Sequence, residues 1–325
     1  MNMEIYSLIT SDLIHKYRNQ INSGLRKIYP KGPQTLYKPI SYVLNAKGKR
    51  LRPLLTLISA KACGGSEKVS MPTALAVEVL HNFTLVHDDI MDQDNTRHGQ
   101  QTVHNKWDES IAILVGDAML SLALKLLNKS SSSTNIQMKI FIDGLLAVCE
   151  GQALDKEFES LDNISIDDYI SMIDLKTGHM IGLAAELGAV SSGVDNHISN
   201  NIRDYGRLVG RAFQIQDDYF EIFSDSMKMG KSLESDILLG KKTFLMIQAI
   251  EKDKNIINSI LNLAKNNFSS ALLSLREFLT ESGIKDKTIQ EIHLILELAD
   301  KKIDNLSIDK NKLLYFSELI KKRGN

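Results

Sequence analysis

The sequence predicts an all-helical protein, and three observations carry that expectation. Apolar residues recur at spacings of three and four almost throughout, as in Leu75, Val79, Leu80, Phe83 and Val86, and again in Ile170, Ile173, Ile181, Ala184 and Leu187. Alternating strand patterns are essentially absent. Prolines number only 5, and most of the 19 glycines fall between periodic segments rather than inside them. A chain of 325 residues that is 43% hydrophobic has ample material for a core. The expected architecture is a single domain over 1–325, a helical bundle around a deep central cavity, with its core at about 34–250 and a helical cap at about 251–325.

The elements follow in order. Residues Met1 to Gln20 carry scattered charges and no continuous apolar run, so no secretory signal is expected. Gly48–Pro53 places Lys49, Arg50 and Arg52 just before an apolar helix. The helical pattern from Leu75 runs into His87-Asp88-Asp89-Ile90-Met91-Asp92, after which Asp94–Gln101 is irregular. The apolar stretch Ile111–Leu127 is interrupted by Asp117 and Lys125, so no transmembrane segment is expected. A polar surface loop is expected at Ser130–Thr134, and Ser165-Ile166-Asp167-Asp168 is a helix-capping arrangement. A later helix carries Gln216-Asp217-Asp218-Tyr219-Phe220-Glu221, and Ser224–Lys242 is irregular again. Beyond Ile247 come shorter amphipathic helices.

The formal net charge of −1 supplies no field for nucleic acid, so an anion site must be a local basic cluster. The two cysteines, Cys63 and Cys149, sit in apolar helical contexts. They are expected to be buried small hydrophobes in a reducing, cytoplasmic setting.

The two acid-rich stretches are the informative feature. Asp88 and Asp92 are spaced i, i+4, as are Asp217 and Glu221, which stacks each pair on one helix face a turn apart. Neighbouring carboxylates repel, and Leu85, Val86, Ile215 and Phe220 tie both helices to a core, where uncompensated charge is costly. A hard divalent cation relieves the repulsion, and magnesium suits oxygen ligands and phosphates. The pattern implies metal-assisted chemistry on a phosphorylated substrate. A solvated acidic face is the plain alternative.

Further motifs make a resemblance specific. They are Gly48–Pro53; His81–Gly99; Thr102-Val103-His104 leading into Gly116-Asp117; Gly151, Gln152 and Asp155; Lys176-Thr177; Phe213–Asp218; Gly230-Lys231; Ser235-Asp236-Ile237; and Gly240–Thr243. In this order, from about Leu44 to Ile247, the chain resembles the trans-type (head-to-tail) isoprenyl diphosphate synthases, short-chain farnesyl and geranylgeranyl diphosphate synthases among them. The resemblance implies an isoprenoid-synthase-type bundle, a homodimer of such bundles, and condensation of isopentenyl diphosphate with an allylic diphosphate.

Site roles follow from the same resemblance. Asp88, Asp92 and Asp217 would ligate three magnesium ions, for which manganese can substitute, with Asp89, Asp218 and Glu221 orienting ligands or waters. Arg97, Lys176, Lys231 and Lys241 would grip the allylic diphosphate; Gly48, Lys49, Arg52 and His81 would receive isopentenyl diphosphate. Thr177 and Gln214 would lie beside the carbocation. His98 stands where the family usually has a second arginine; it cannot offer a bidentate fork. Glu221 replaces an aspartate, and Glu234 stands where glycine is common. Phe83, five residues before Asp88, and Thr84 occupy the chain-length position; the bulky phenylalanine favours fifteen carbons, with twenty as the rival. Other readings are a class I terpene cyclase, against which Lys49, Arg52 and His81 argue; a non-catalytic partner subunit; and a di-iron bundle, for which the required Glu-x-x-His pairs are not seen.

Overall fold

The computed structural model describes residues 3–97, 99–129, 134–224 and 241–322, with no account of the side chains of 3–11 and 134. His98, most of the expected Ser130–Thr134 loop, and Gly230, Lys231, Glu234, Ser235, Asp236, Ile237 and Gly240 lie outside the described residues. The all-helical expectation holds. The helices are α1 (Met3–Leu25), α2 (Gln34–Asn45), α3 (Leu51–Ala62), α4 (Glu67–Met91), the single turn α5 (Val103–Lys106), α6 (Glu109–Leu127), α7 (Thr134–Glu159), α8 (Ile166–Ile173), α9 (His179–Val190), α10 (Asn196–Phe223), α11 (Phe244–Ala264), α12 (Phe268–Glu281), α13 (Ile284–Ile303) and α14 (Asn311–Lys321). A five-residue π-turn, Asp174–Gly178, joins α8 to α9. The segment Asp94–Gln101 is not wholly irregular: strands β1 (Thr96–Arg97) and β2 (Gln100–Gln101) pair antiparallel, and Gly99 between them has φ +74°. Glycine adopts that left-handed conformation without a Cβ clash, which lets so short a hairpin close.

Local chemistry explains several helix starts. Ser165 and Asp168 form the expected reciprocal capping box, with the Asp168 amide donating to Ser165 Oγ (3.1 Å) and the Ser165 amide to Asp168 Oδ2 (2.9 Å). Asp108 caps α6 by accepting from the Ile111 amide (2.8 Å), and Thr243 caps α11 by accepting from the Met246 amide (3.3 Å).

The chain divides into two compact units. The first comprises residues 1–143, 181–206 and 302–319; the second comprises 144–180, 207–301 and 320–325. In the first, α4 packs chiefly on α6 and α3, and it is buried nearly all round from Thr73 to Leu80. Contact there is backbone-close. Thr56 Oγ1 donates to the Ala184 carbonyl (2.9 Å), and a Cβ on Gly188 would come within 2.1 Å of the Thr56 carbonyl oxygen. In the second unit, Leu245, Met246, Ala249, Ile257 and Ile260 of α11 pack with Leu272, Leu275 and Leu279 of α12 and Ile222 of α10.

One expectation needs correction. Cys149 is exposed and Cys63 only half-buried, because Phe141, Gly144, Val148 and Gly151 carry the inward stripe of α7 and Cys149 falls off it. The expectation of no transmembrane segment is not overturned. On length and composition α4 and α6 would both suffice to cross a bilayer, with mean hydropathy of 1.2 and 1.9 over their best windows. The α4 window is 67% buried and the α6 window 33%. Core helices pass that same test.

Candidate active site

Both acidic motifs occupy the last turns of long helices. Asp88 and Asp89 lie in the final turn of α4, whose C-cap is Asp92, and the Asp92 amide donates to the Asp88 carbonyl (2.8 Å). Asp217, Asp218 and Glu221 close α10, which ends at Phe223. The i, i+4 spacing is therefore realised on continuous helix in each case. A helix C-terminus carries partial negative charge, so acids gathered there are doubly unfavourable without a cation.

In the first unit the motif residues meet as follows. Asp89 is 4% exposed; burial pushes its carboxyl up to about 6, against the opposing pull of Arg97, whose Nε donates to Asp89 Oδ1. Arg97 also reaches Asp94 (3.3 Å). Asp88 is half-buried and Asp92 exposed. Arg52 Nη1 lies 3.0 Å from His81 Nε2, so these two predicted partners come together from α3 and α4. Gly48 and Lys49 are exposed in the turn before α3, and the Lys49 carbonyl accepts from Arg18. Arg50, the third cation of that cluster, is not exposed. It caps α3 with φ 54° and donates to Glu78 (2.7 Å), Asn22 (3.0 Å) and the carbonyls of Leu44 (3.0 Å) and Ala46 (2.6 Å). It ties the loop carrying Lys49 to α4 one turn before His81. Phe83 is buried edge-on against His87 (4.8 Å), whose ring covers Gly116 of α6. The Thr84 hydroxyl donates back to the His81 carbonyl (2.8 Å).

In the second unit a relay is visible. Thr177 Oγ1 donates to Gln214 Oε1 (3.0 Å), Gln214 Nε2 donates to Asp218 Oδ1 (3.0 Å), and Tyr169 donates to Asp218 Oδ2 (2.5 Å). Asp218 is 4% exposed, and burial pushes it up to about 6 although the Tyr169 bond, Lys241 and the Gln214 bond favour the charged form. Both Asp218 oxygens are engaged, and the neighbouring Asp217 is half-buried. Lys176 donates to Asp155 (2.6 Å). Lys241 lies just before α11, exposed. Glu221 is half-buried on the Asp217 face.

Sequence reasoning does not single out Tyr169, Asp174 or the Arg50–Glu78 pair, and it names Gln152 only within a motif, with no role. Asp174 carries a visible signal, a charge within an apolar helical run; Tyr169 carries none. The donor chemistry fits magnesium. Among the described residues no three His, Cys, Asp or Glu side chains form a ready-made cage. Magnesium characteristically takes only one or two carboxylates, completing its shell with waters and phosphate oxygens. Gln152, 8% exposed and one turn before Asp155, has no hydrogen-bond partner at either amide atom among the described residues. A buried amide so placed calls for a water or ligand oxygen.

Comparison with known proteins agrees with this chemistry. The sequence matches the family description Polyprenyl synthetase over residues 33–276. It is 37% identical over 257 residues to a short chain isoprenyl diphosphate synthase of Methanothermobacter thermautotrophicus, covering 77% of this chain and 79% of the relative. Against a geranylgeranyl diphosphate synthase of Methanosarcina mazei it is 36% identical over 245 residues, covering 74% and 76%. A crystal structure of a geranylgeranyl pyrophosphate synthase superposes with a TM-score of 0.89 at 38% identity, covering 95% of this chain and 98% of that one.

Proposed function

We proceed from the premise that the chain belongs to the polyprenyl synthetase family and is a prenyltransferase, and we propose that it condenses isopentenyl diphosphate with an allylic diphosphate, head to tail and all-trans, to a twenty-carbon product. The observation that carries the reading is that motif residues from different segments meet within a unit. Arg52 lies on His81, Thr177 on Gln214, and Gln214 on Asp218. We keep 1–325 as one prenyltransferase domain, supported by a family match that runs through residues of both units.

The product assignment moves from fifteen carbons to twenty. The names of two relatives support twenty.

In this reading Asp88, Asp92 and Asp217 would hold three magnesium ions, which supply positive charge opposite the leaving diphosphate. Arg97, Lys176 and Lys241, with Lys231, bind that diphosphate and neutralise it as the carbon–oxygen bond breaks. Lys49, Arg52 and His81 anchor isopentenyl diphosphate so that its double bond faces the allylic carbon. The Thr177 hydroxyl and Gln214 amide orient Asp218 and present dipoles to the cation. The proton lost from the condensation product passes to the released diphosphate, so no side-chain base is required. A homodimer is part of the proposal, and exposed Ile113 and Leu114 of α6 and Ile136 and Ile142 of α7 offer apolar faces for it. A reducing, cytoplasmic setting is supported by two free cysteines.

The test is incubation with labelled isopentenyl diphosphate and each allylic diphosphate in turn, with and without magnesium, followed by product sizing. A magnesium-dependent twenty-carbon diphosphate is expected. A cyclic hydrocarbon formed without isopentenyl diphosphate would establish the cyclase instead, and an inert protein that activates only with another synthase would establish the subunit.

A further inference from the structure

We propose that Asp174 is a positioning residue, which through Arg207 and Arg211 sets the register of the Lys176–Thr177 turn against helix α10. The inference deepens the prenyl-transfer reading and rests on it for its kinetic consequence. Its structural consequence stands independently.

The turn itself is the first observation. A π-turn inserts one extra residue into the helical path and is poorly bonded for its length, so it persists where neighbouring contacts hold it. Asp174–Gly178 is such a turn, and it carries both Lys176 and Thr177. Asp174 opens it and is 6% exposed. Its carboxylate accepts from Arg211 Nε at 2.8 Å, from Arg207 Nε at 3.3 Å and from Arg207 Nη2, while His179 Nε2 lies 3.9 Å away. Burial pushes the Asp174 carboxyl up, and the bonds from Arg211 and Arg207 outweigh it and hold it below the usual carboxylate range.

The second observation is where those arginines stand. Arg207, Arg211, Gln214, Asp218 and Glu221 follow one another at spacings of 4, 3, 4 and 3, a single stripe along α10. Asp174 therefore grips the stripe that carries Gln214 and the second acidic motif. Three residues after Asp174, Thr177 bonds Gln214, which lies three residues after Arg211.

Between these two polar contacts the backbones touch. A Cβ on Gly210 would meet Gly178 Cα at 2.8 Å and the Thr177 carbonyl oxygen at 3.0 Å. A Cβ on Gly178 would meet Asp174 Oδ1 at 2.5 Å. Glycine contact alone permits sliding, because two smooth backbones carry no side chain to oppose it. The forked Arg207 guanidinium on Asp174, with the Arg211 Nε donating beside it, removes that freedom, since a planar bidentate donor fixes position as well as charge. A slip of one residue along α10 moves a side chain about 1.5 Å along the axis and about 100° around it. That is enough to part Thr177 from Gln214 and release Asp218 from one of its two partners. Asp174 has no substrate contact in this account; it acts on Thr177, Gln214 and Asp218 through register alone.

The test uses Asp174→Asn, which keeps the shape and removes the charge, and the milder Arg211→Lys, which keeps the charge and loses the guanidinium Nε that donates to Asp174. With the full-length enzyme, both are expected to lower kcat, by about tenfold to a hundredfold for Asp174→Asn, as misplacements near 1 Å do. The KM for isopentenyl diphosphate should stay within about twofold, and the magnesium concentration for half-activation should rise. In crystal structures of the variants the Thr177–Gln214 hydrogen bond should be broken or lengthened. Wild-type kcat and magnesium dependence per folded molecule in Arg211→Lys, with that bond intact, would overturn the proposal and leave a purely stabilising ion pair. If Asp174→Asn does not fold, Arg211→Lys decides. If the wild-type enzyme makes no prenyl diphosphate, the prenyl-transfer reading fails while the crystallographic comparison still decides the register.

Discussion

Glu186 should make the protein less stable as pH rises toward neutrality, and replacing it with glutamine should remove that dependence. Glu186 lies on α9 and is 8% exposed. Burial pushes its carboxyl up to about 7, with Arg203 and Lys139 opposing and Asp204 and Asp143 reinforcing the shift. The ordinary glutamate value is near 4.3, so between roughly pH 4.3 and 7 the folded chain holds a proton that the unfolded chain has released. Folded stability therefore declines across that window as pH rises. The favourable contribution is fully present below about pH 4.3 and gone above about pH 7. One pKa unit corresponds to about 1.4 kcal/mol, so the ionised side chain costs the fold on the order of 4 kcal/mol at most, before local relaxation. Glutamine keeps the shape and never ionises.

The assay is thermal unfolding of the wild type and Glu186→Gln at a series of pH values from about 4.5 to 8. At the acid end the two melting temperatures should nearly coincide. By pH 8 the variant should be more stable by about 1–3 kcal/mol, a gain of several degrees for a chain of this size. Parallel curves across the whole range would refute the reasoning, because they would mean that Glu186 is already ionised in the folded protein at the acid end.

Other consequences are equally direct. Tyr169→Phe removes the hydroxyl that donates to Asp218 (2.5 Å) and favours its charged form, so the carboxyl should move up from about 6 and the acidic limb of the pH–rate profile should shift upward with it. An unmoved profile would exclude Asp218 from that limb. Gly188→Ala places a Cβ 2.1 Å from the Thr56 carbonyl oxygen; it should destabilise the protein by about 1–3 kcal/mol in urea unfolding, and a neutral result would show that α3 and α9 can separate freely. Phe83→Ala should lengthen the product, read by product sizing, and an unchanged length would put the tunnel floor at another residue.

The helical class was legible because its signal is repetition: one inward stripe after another at three- and four-residue spacing. The acid motifs were legible because charge on such stripes is anomalous. What stayed hidden depends on pairing between distant segments. Tyr169 looks like any core aromatic of an amphipathic helix until α8 and α10 bring its hydroxyl to Asp218. Arg50 reads as one of three equivalent cations, yet its left-handed backbone and the buried Glu78 carboxylate turn it inward while Lys49 stays exposed. Cys149 failed for a subtler reason: its neighbours are apolar, but the inward stripe of α7 passes through Val148 and Gly151 on either side of it. Phe83 was legible as a bulky residue on the helical stripe, whereas its edge contact with His87 was not.

Two of the basic residues assigned to the diphosphate are already engaged with acids. Arg97 is held by Asp89 and Asp94, and Lys176 by Asp155 at 2.6 Å with both side chains only about a quarter exposed. Such pairing keeps unliganded cations from being stranded in a half-buried site, where an unpaired charge is expensive. It also means that a diphosphate must displace a carboxylate before it gains the cation. Asp155→Asn should therefore tighten binding of inorganic diphosphate in the absence of metal, by about tenfold if the released interaction is on the order of 1.4 kcal/mol. Titration calorimetry with inorganic diphosphate and a chelator reads this directly. Unchanged or weaker binding would show that Lys176 does not reach the diphosphate, and the assignment of its charge to that substrate would have to be given up.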